Sequence, residues 1–333
     1  MTNTRSASAL ARAWCRVDLA GGTLDIWPLG LLHPGSRTVN VAIDLAVEVG
    51  LERAATGYGI RQNERQVRCD TLRELAETED GALLAHIAMA LSLPPFEARI
   101  RSASPRGGGL GASSALAVAA IAAGEALTGR ESSSAERRSA LARDVEARLM
   151  QLPTGRQDHF PALLGGALEI CHEPGGERVR RLAVDLDHLG DHMMVVYTGQ
   201  SHFSAGNNWI VVRKRLEKDP VIVSLFDGIA DLAHQIVESL ERGDLETVAQ
   251  SVSKEWELRR QLSAGKSTPM IESVLERARA AGAWGGKACG AGGGGCVVLL
   301  CPPERRRDVA TEIEAIGGEV LATRPVSAPL QLV

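Results

Sequence analysis

The apolar positions along the chain repeat with two periods. Residues 12–20 (RAWCRVDLA) and 39–51 (VNVAIDLAVEVGL) alternate apolar and polar side chains, the period-2 signature of strands. The polar stretch 59–69 (GIRQNERQVRC) is expected to pair with the second of them. Residues 80–92 carry helical spacing up to the stop at Pro94-Pro95, and 96–103 (FEARIRSA) reads as a strand running into a glycine cluster. A helix is predicted over 112–127, closed by Thr128-Gly129, and a second from an N-cap near Ser133 to Leu152. Stretches 167–171 and 179–184 predict a strand pair, and 187–199 a buried strand. Three helical patterns fill 203–281. A further glycine cluster then precedes the apolar strand 296–301, a helix near 303–316 and a last strand at 318–323. A strand-rich first half and a helix-rich second half predict an α+β chain of two domains, 1–185 and 186–333.

Composition narrows the classes. A chain of 333 residues with 44% hydrophobic content can bury a large core. A net charge of −4, with only short basic runs at 178–181 and 304–307, argues against a nucleic-acid partner. Six cysteines without C-x-x-C spacing read as reduced thiols, which points to a cytoplasmic protein. No long uncharged apolar run and no signal peptide stand out, so no membrane partner is expected. His188 and His192 lack the companion glutamate of a zinc helix. With only 3% aromatic residues, Trp14, Trp209, Trp256 and Trp284 read as core anchors, whereas Trp27 is a candidate for stacking on a ligand.

The segment SPRGGGLGASSAL (104–116) carries the clearest chemistry. Ordering glycine is entropically costly, so a cluster persists where side chains would obstruct something. Gly107, Gly108, Gly109 and Gly111, with Pro105, Leu110 and Ala112 between and around them, sit where a strand gives way to a helix. Helix N-termini offer unpaired N–H groups and a positive dipole end, so this is a candidate phosphate cradle. The competing explanation is a flexible loop before a small-residue helix packed closely on a sheet. Ser113 and Ser114 fall on the first turn, where a hydroxyl can cap the helix, touch a phosphate or ligate Mg²⁺. The loop is neither a P-loop nor a dinucleotide fingerprint. The GKS at 265–267 imitates a P-loop tail but has Arg260 where glycine is required.

Three more segments accompany it in order: RVDLAGGTLD (16–25), GRQDHFPALLGG (155–166) and GGKACGAGGGGC (285–296). Together with the P-x-G-x-G-L-G-x-S-S run from Pro105 to Ser114, they resemble the GHMP kinase superfamily over essentially the whole chain. The similarity is greatest to sugar-1-kinases of the D-glycero-D-manno-heptose 7-phosphate kinase and fucokinase type. The chain departs from these at Leu24, where Thr is usual, at His159-Phe160 in place of Gln-Tyr, and at Ala112 in place of a frequent Ser.

The resemblance implies a ribosomal protein S5 domain 2-like N-terminal domain and a ferredoxin-like C-terminal domain. It also implies an ATP- and Mg²⁺-dependent kinase acting on the anomeric hydroxyl of a sugar or sugar phosphate. Asp158 matches the catalytic carboxylate, and Arg156, two residues earlier, is the cation expected to hold it ionised. Arg16 falls where relatives place a cation near the transferred phosphate. The expected metal ligands are Ser113 and Glu146, with Ser114 and Glu136 as their rivals. Asp25 and Gly22 would meet the acceptor, as would Gly292 and Gly293 of the last cluster. Arg156 and Arg37 are candidates to hold a phosphate at its far end, which would put sugar phosphates ahead of free sugars. The alternatives are a mevalonate- or phosphomevalonate-type kinase or decarboxylase, or a non-catalytic nucleotide-binding regulator. A homodimer is the assembly to test.

Overall fold

The computed structural model describes residues 7–201 and 205–333. In chain order its elements are β1 (Ser8–Ala20), β2 (Arg37–Arg53), β3 (Tyr58–Gln62), β4 (Arg65–Cys69), α1 (Leu72–Ala76), α2 (Ala82–Leu91), β5 (Phe96–Ser102), α3 (Ala112–Thr128), α4 (Ala135–Met150), α5 (His159–Leu164), β6 (Ala167–Glu173) and β7 (Gly176–Arg181). The second half adds α6 (Leu186–His192), β8 (Met193–Tyr197), α7 (Ala205–Leu216), α8 (Pro220–Arg242), α9 (Leu245–Arg259), α10 (Pro269–Ala280), β9 (Gly285–Ala288), β10 (Cys296–Leu300), α11 (Arg306–Glu314), β11 (Glu319–Leu321) and β12 (Gln331–Leu332).

Two sheets organise these elements into an α+β fold. The larger runs β12-β1-β2-β5-β3-β4, with β6 on β2 and β7 on β6; the smaller runs β11-β8-β10-β9. Helix α3 packs on β1 and β2. It can lie close to them, and to α2, α4 and α5, because Ala115, Ala117, Ala119, Ala122 and Ala123 are all fully buried and offer only methyl groups. The stretch 59–69 does not pair with β2. It folds into its own hairpin, β3–β4, turning at Asn63 (φ +53°), and joins β5 in parallel. The physical reason is occupancy, since β2 is paired with β1 on one side and with β5 and β6 on the other.

Among the described residues, four helices, not three, lie between β8 and β9. The expected start of the first pattern, near 203, lies outside the described residues. Helix α8 is long and apolar enough, by length and composition alone, to cross a membrane, although Asp227, Asp231 and Glu238 interrupt it. In this fold it packs on β1, β2 and α9, with Ile222, Phe226, Ile229 and Ile236 buried. Leu24 is fully buried in the apolar cluster that α7 and α8 complete, so its departure from Thr serves packing.

The end of the chain crosses back to the larger sheet. Pro325 bridges Ile43, β12 pairs with β1, and the Trp14 indole N–H donates to the Pro329 carbonyl at 3.2 Å. The last residues of the expected second domain therefore complete the sheet of the first. Of the tryptophans assigned to the core, Trp14 and Trp256 are buried but Trp209 is 43% exposed. Trp284 stacks on the His192 ring with centroids 5.3 Å apart.

Candidate active site

The glycine loop is built from alternating backbone hands. Gly107, Gly109 and Gly111 have φ of +68°, +69° and +73°, separated by Gly108 and Leu110. Such alternation directs successive N–H groups toward one concavity, an anion nest. Gly111 caps α3 without any side-chain hydrogen bond, leaving the first-turn N–H groups to a ligand. The loop is anchored to β1 by Leu110, which is buried and accepts the Arg16 N–H at 2.9 Å. Pro105 accepts from the Gly108 N–H at 3.1 Å, tightening the turn.

Close packing also requires these glycines. A Cβ on Gly109 would lie 2.8 Å from the Cys289 carbonyl oxygen, and one on Gly290 would lie 2.8 Å from that of Gly109. The Cys296 N–H donates to the Gly108 carbonyl at 2.8 Å. The glycine cluster at 290–295 is thus the back wall of the glycine loop at 107–111. Gly292 and Gly293 pack against Lys266 and not on the cleft beside Asp25. A Cβ on Gly292 would meet the Lys266 carbonyl at 2.3 Å, and the Gly293 N–H donates to that same oxygen at 2.6 Å.

Beside the α3 N-terminus lies an arginine–carboxylate pair. Arg16 sends Nε at 2.8 Å and NH2 at 2.7 Å to Asp158 Oδ1, and NH1 at 2.6 Å to the Gly109 carbonyl. Both contacts fall on Oδ1, and Asp158, although at the N-cap position of α5, makes no capping bond. The cation on Asp158 is therefore Arg16, which corrects the expectation for Arg156. Arg156 points away, donating to Ser139 Oγ at 2.9 Å and to the Glu136 carbonyl at 2.8 Å and pairing with Glu177. Burial opposes the Arg16 charge, but Asp158 and Asp18 more than offset it and raise its pKa.

On the other side of the helix end, Ser114 donates to Glu146 Oε1 at 2.8 Å, whereas Ser113 is exposed. The structure thus joins Glu146 to the rival serine. Among the described residues no group of three or more His, Cys, Asp or Glu could hold a metal by itself. One carboxylate and one hydroxyl at a phosphate loop still suit Mg²⁺, which keeps most of its waters and takes phosphate oxygens. The nest and this donor pair fit ATP with Mg²⁺.

A cleft of about 310 Å³ opens next to Asp25, lined among others by Trp27, Thr154, Arg143, Arg156, His172 and Glu177. Asp25 Oδ2 accepts the Gln157 N–H at 3.1 Å, and only a glycine fits at 155, where a Cβ would lie 1.7 Å from that oxygen. Burial and the nearby Asp158 carboxylate push Asp25 up to about 6. Burial pushes His172 down to about 4, so its imidazole is neutral, and its Nε2 is buried without a protein partner. Trp27 is 71% exposed at the rim. Arg37 and Gly22 do not line this cleft. Arg37 pairs with Glu169 at 2.6 Å, and Gly22 leaves room for the Arg259 guanidinium, whose NH2 would lie 2.3 Å from a Cβ there.

Sequence inspection missed a buried charge cluster behind the site. Asp18 Oδ1 accepts the Gly290 N–H at 2.6 Å, and its Oδ2 faces Lys287 Nζ at 3.1 Å and Arg259 NH1 at 3.2 Å. Glu255 meets Lys287 at 2.9 Å and Arg259 at 3.3 Å. Lys266, 2% exposed, reaches only the Ala291 carbonyl, at 3.5 Å; burial and the neighbouring Arg259 push it down to about 7. The available signal was Lys287, the one charge in the short strand β9, which must find a partner once buried; Asp18 is one of several charges in the alternating strand β1 and had no such mark.

A glycine nest at a helix end, flanked by an arginine–carboxylate pair and a cleft, defines a phosphate-handling protein of the α+β class. The sequence signatures "GHMP kinases N terminal domain" and "GHMP kinases C terminal" match residues 74–166 and 236–318. A mevalonate kinase of Thermococcus sibiricus is 31% identical over 319 residues, 87% of this chain and 90% of that protein. The chain belongs to the GHMP kinases. A mevalonate kinase of Pyrococcus horikoshii is 33% identical over 238 residues, 69% of this chain and 66% of that protein. An L-fucokinase/L-fucose-1-P guanylyltransferase of Bacteroides fragilis is 23% identical over 304 residues, 80% of this chain but 32% of that longer protein. Among solved structures, a D-glycero-D-manno-heptose 1-phosphate kinase from Bacteroides thetaiotaomicron superposes with a TM-score of 0.76 at 20% identity, covering 98% of each chain. A galactokinase of Lactococcus lactis reaches 0.80 at 13% identity over 98% and 95%. These two likenesses show the fold.

Proposed function

We propose that the protein transfers the terminal phosphoryl group of ATP to a hydroxyl, the anomeric one, of a sugar held in the Asp25 cleft. The glycines at 107–111 and the α3 N-terminus would hold the triphosphate, and Glu146 with Ser114 would hold Mg²⁺. When bound, ATP supplies the phosphoryl group and Mg²⁺ neutralises its charge. Asp158 takes the acceptor's proton on Oδ2, because Arg16 occupies Oδ1 and fixes the carboxylate's direction. Asp25 accepts hydrogen bonds from the ring hydroxyls, and Trp27 offers an apolar face at the rim.

The observation that carries the sugar assignment is the charge state of the cleft. Arg156 is committed to Glu177 in a largely buried pair, and Arg143 makes an exposed pair with its neighbour Asp144 at 2.8 Å, so the buried cation of the cleft already holds a carboxylate. Asp25 meanwhile repels an anionic acceptor. This favours a neutral polyol, reversing the expected priority of sugar phosphates over free sugars. The likeness to mevalonate kinases supports a second assignment, which would need a cation released toward the substrate carboxylate.

Asp158→Asn tests the chemistry. Turnover should fall by roughly 10²–10⁴-fold with ATP binding retained in calorimetry, and near-wild-type turnover would remove Asp158 from the mechanism. Phosphorus NMR of products from a panel of neutral sugars, sugar phosphates and mevalonate tests the acceptor. Mevalonate turned over with no sugar consumed would replace the sugar assignment.

A further inference from the structure

A chain of buried polar groups connects the α3 N-terminus to the wall of the acceptor cleft. Ser114 donates to Glu146 Oε1 at 2.8 Å, and the other carboxylate oxygen, Oε2, lies 2.8 Å from His159 Nε2. His159 Nδ1 lies 3.3 Å from Ser139 Oγ, which accepts Arg156 Nε at 2.9 Å; Arg156 then pairs with Glu177 at the cleft. His159 and Ser139 are fully buried, and Ser114, Glu146 and Arg156 are each at most 8% exposed. One tautomer satisfies every member. With hydrogen on Nε2, the ring donates to Glu146 and accepts the Ser139 hydroxyl, whose oxygen in turn accepts from Arg156. Buried polar groups left without partners are costly, so such a chain favours one arrangement of all its members.

We infer that His159 is a positioning residue that orients the Glu146 carboxylate toward the nucleotide's metal and ties that orientation to the cleft wall through Ser139 and Arg156. This rests on Glu146 being the metal ligand. Outer groups that hydrogen-bond a metal-binding side chain fix its direction, and losing them commonly weakens metal binding by about 10–100-fold. His159 also follows Asp158 directly, so the same bonds fix the start of α5 on which the Asp158 carboxylate is mounted.

The test measures Mn²⁺ binding, by electron paramagnetic resonance, to the protein saturated with a non-hydrolysable ATP analogue. This readout involves no turnover. His159→Leu keeps most of the ring's volume without its nitrogens and should weaken Mn²⁺ binding by roughly 10–100-fold. His159→Gln places an amide N–H near the lost Nε2–H and should restore most of that loss. Glu146→Gln should weaken the metal at least as much as His159→Leu. Mn²⁺ affinity within twofold of wild type in a folded His159→Leu protein would overturn the inference, as would equal losses in the Leu and Gln variants, since the ring would then serve packing alone. An unchanged Glu146→Gln would overturn both the inference and the metal assignment. A weakened Glu146→Gln beside an intact His159→Leu would overturn the inference alone.

Discussion

Gly111 stands where a single added carbon would touch both halves of the Arg16–Asp158 pair. A Cβ there would lie 3.3 Å from Arg16 Cγ and 3.4 Å from Asp158 Cβ and Cγ, at a φ of +73° that L side chains rarely adopt. Gly111→Ala should therefore lower kcat through displacement of Asp158, more than it lowers ATP affinity. Steady-state kinetics beside calorimetry with ATP would read the difference. Gly109→Val should behave otherwise. Its Cβ meets the Cys289 carbonyl at 2.8 Å, so loss of thermal stability should accompany any loss of nucleotide binding.

Asp25 gives the acceptor step a pH limb. A carboxylate pushed up to about 6 by burial and Asp158 accepts hydroxyl hydrogen bonds fully only above that pH. The acceptor KM should rise as pH falls through 6, and Asp25→Asn should lose that limb along with most acceptor affinity. Stability should move the opposite way. The raised folded pKa means that the folded state binds the extra proton between about 3.8 and 6, so stability is lost as pH rises through that window. Asp25→Asn should consequently show its greatest gain in melting temperature above pH 6.

Asp18 is the hub of the buried charges. Burial alone would raise its pKa, but Lys287, Arg259 and Arg16 hold it at about 2. Asp18→Ala leaves Lys287 and Arg259 short of a partner in a site closed to water. The expected loss is roughly 3–5 kcal/mol in urea unfolding, the usual consequence of stripping one partner from a buried pair. A depressed folded pKa contributes stability above the unfolded value and loses it as pH falls toward 2, so wild type and variant should converge in acid.

Lys266 should work against stability at neutral pH. Its pKa falls to about 7 in the folded chain against an ordinary 10.5, so the unfolded state binds the proton more readily between those values. Stability therefore rises with pH across that window. Lys266→Met should be more stable than wild type by roughly 1–4 kcal/mol near pH 6, the range seen when buried charges are replaced by apolar side chains. The gain should shrink as pH climbs toward 10. A gain that does not change with pH would mean that Lys266 keeps its charge throughout.

What the sequence made legible were features with local signatures. Strands β1 and β2 announce themselves by alternation, and the glycine loop by its place between a strand and a helix. Asp158 is legible through its motif. Its partner Arg16 is 142 positions away, and nothing local distinguishes Arg16 from Arg156 as the cation that reaches it. Lys287 and Asp18 are 269 positions apart and meet only because two sheets pack. Ser113 and Ser114 are adjacent, yet successive residues point about 100° apart around a helix, so only one can face Glu146. The wall that binds Arg156, Glu177, lies on β7, which was expected at 179–184 and starts at Gly176, so Glu177 fell before the expected strand.

The return of the chain's end to β1 bears on how the protein is made. Trp14 waits for the Pro329 carbonyl, 315 positions later, and β12 pairs with β1 only at Ala11 and Arg12. Until then β1 presents unpaired backbone groups along part of its length, the kind of edge that recruits neighbouring chains.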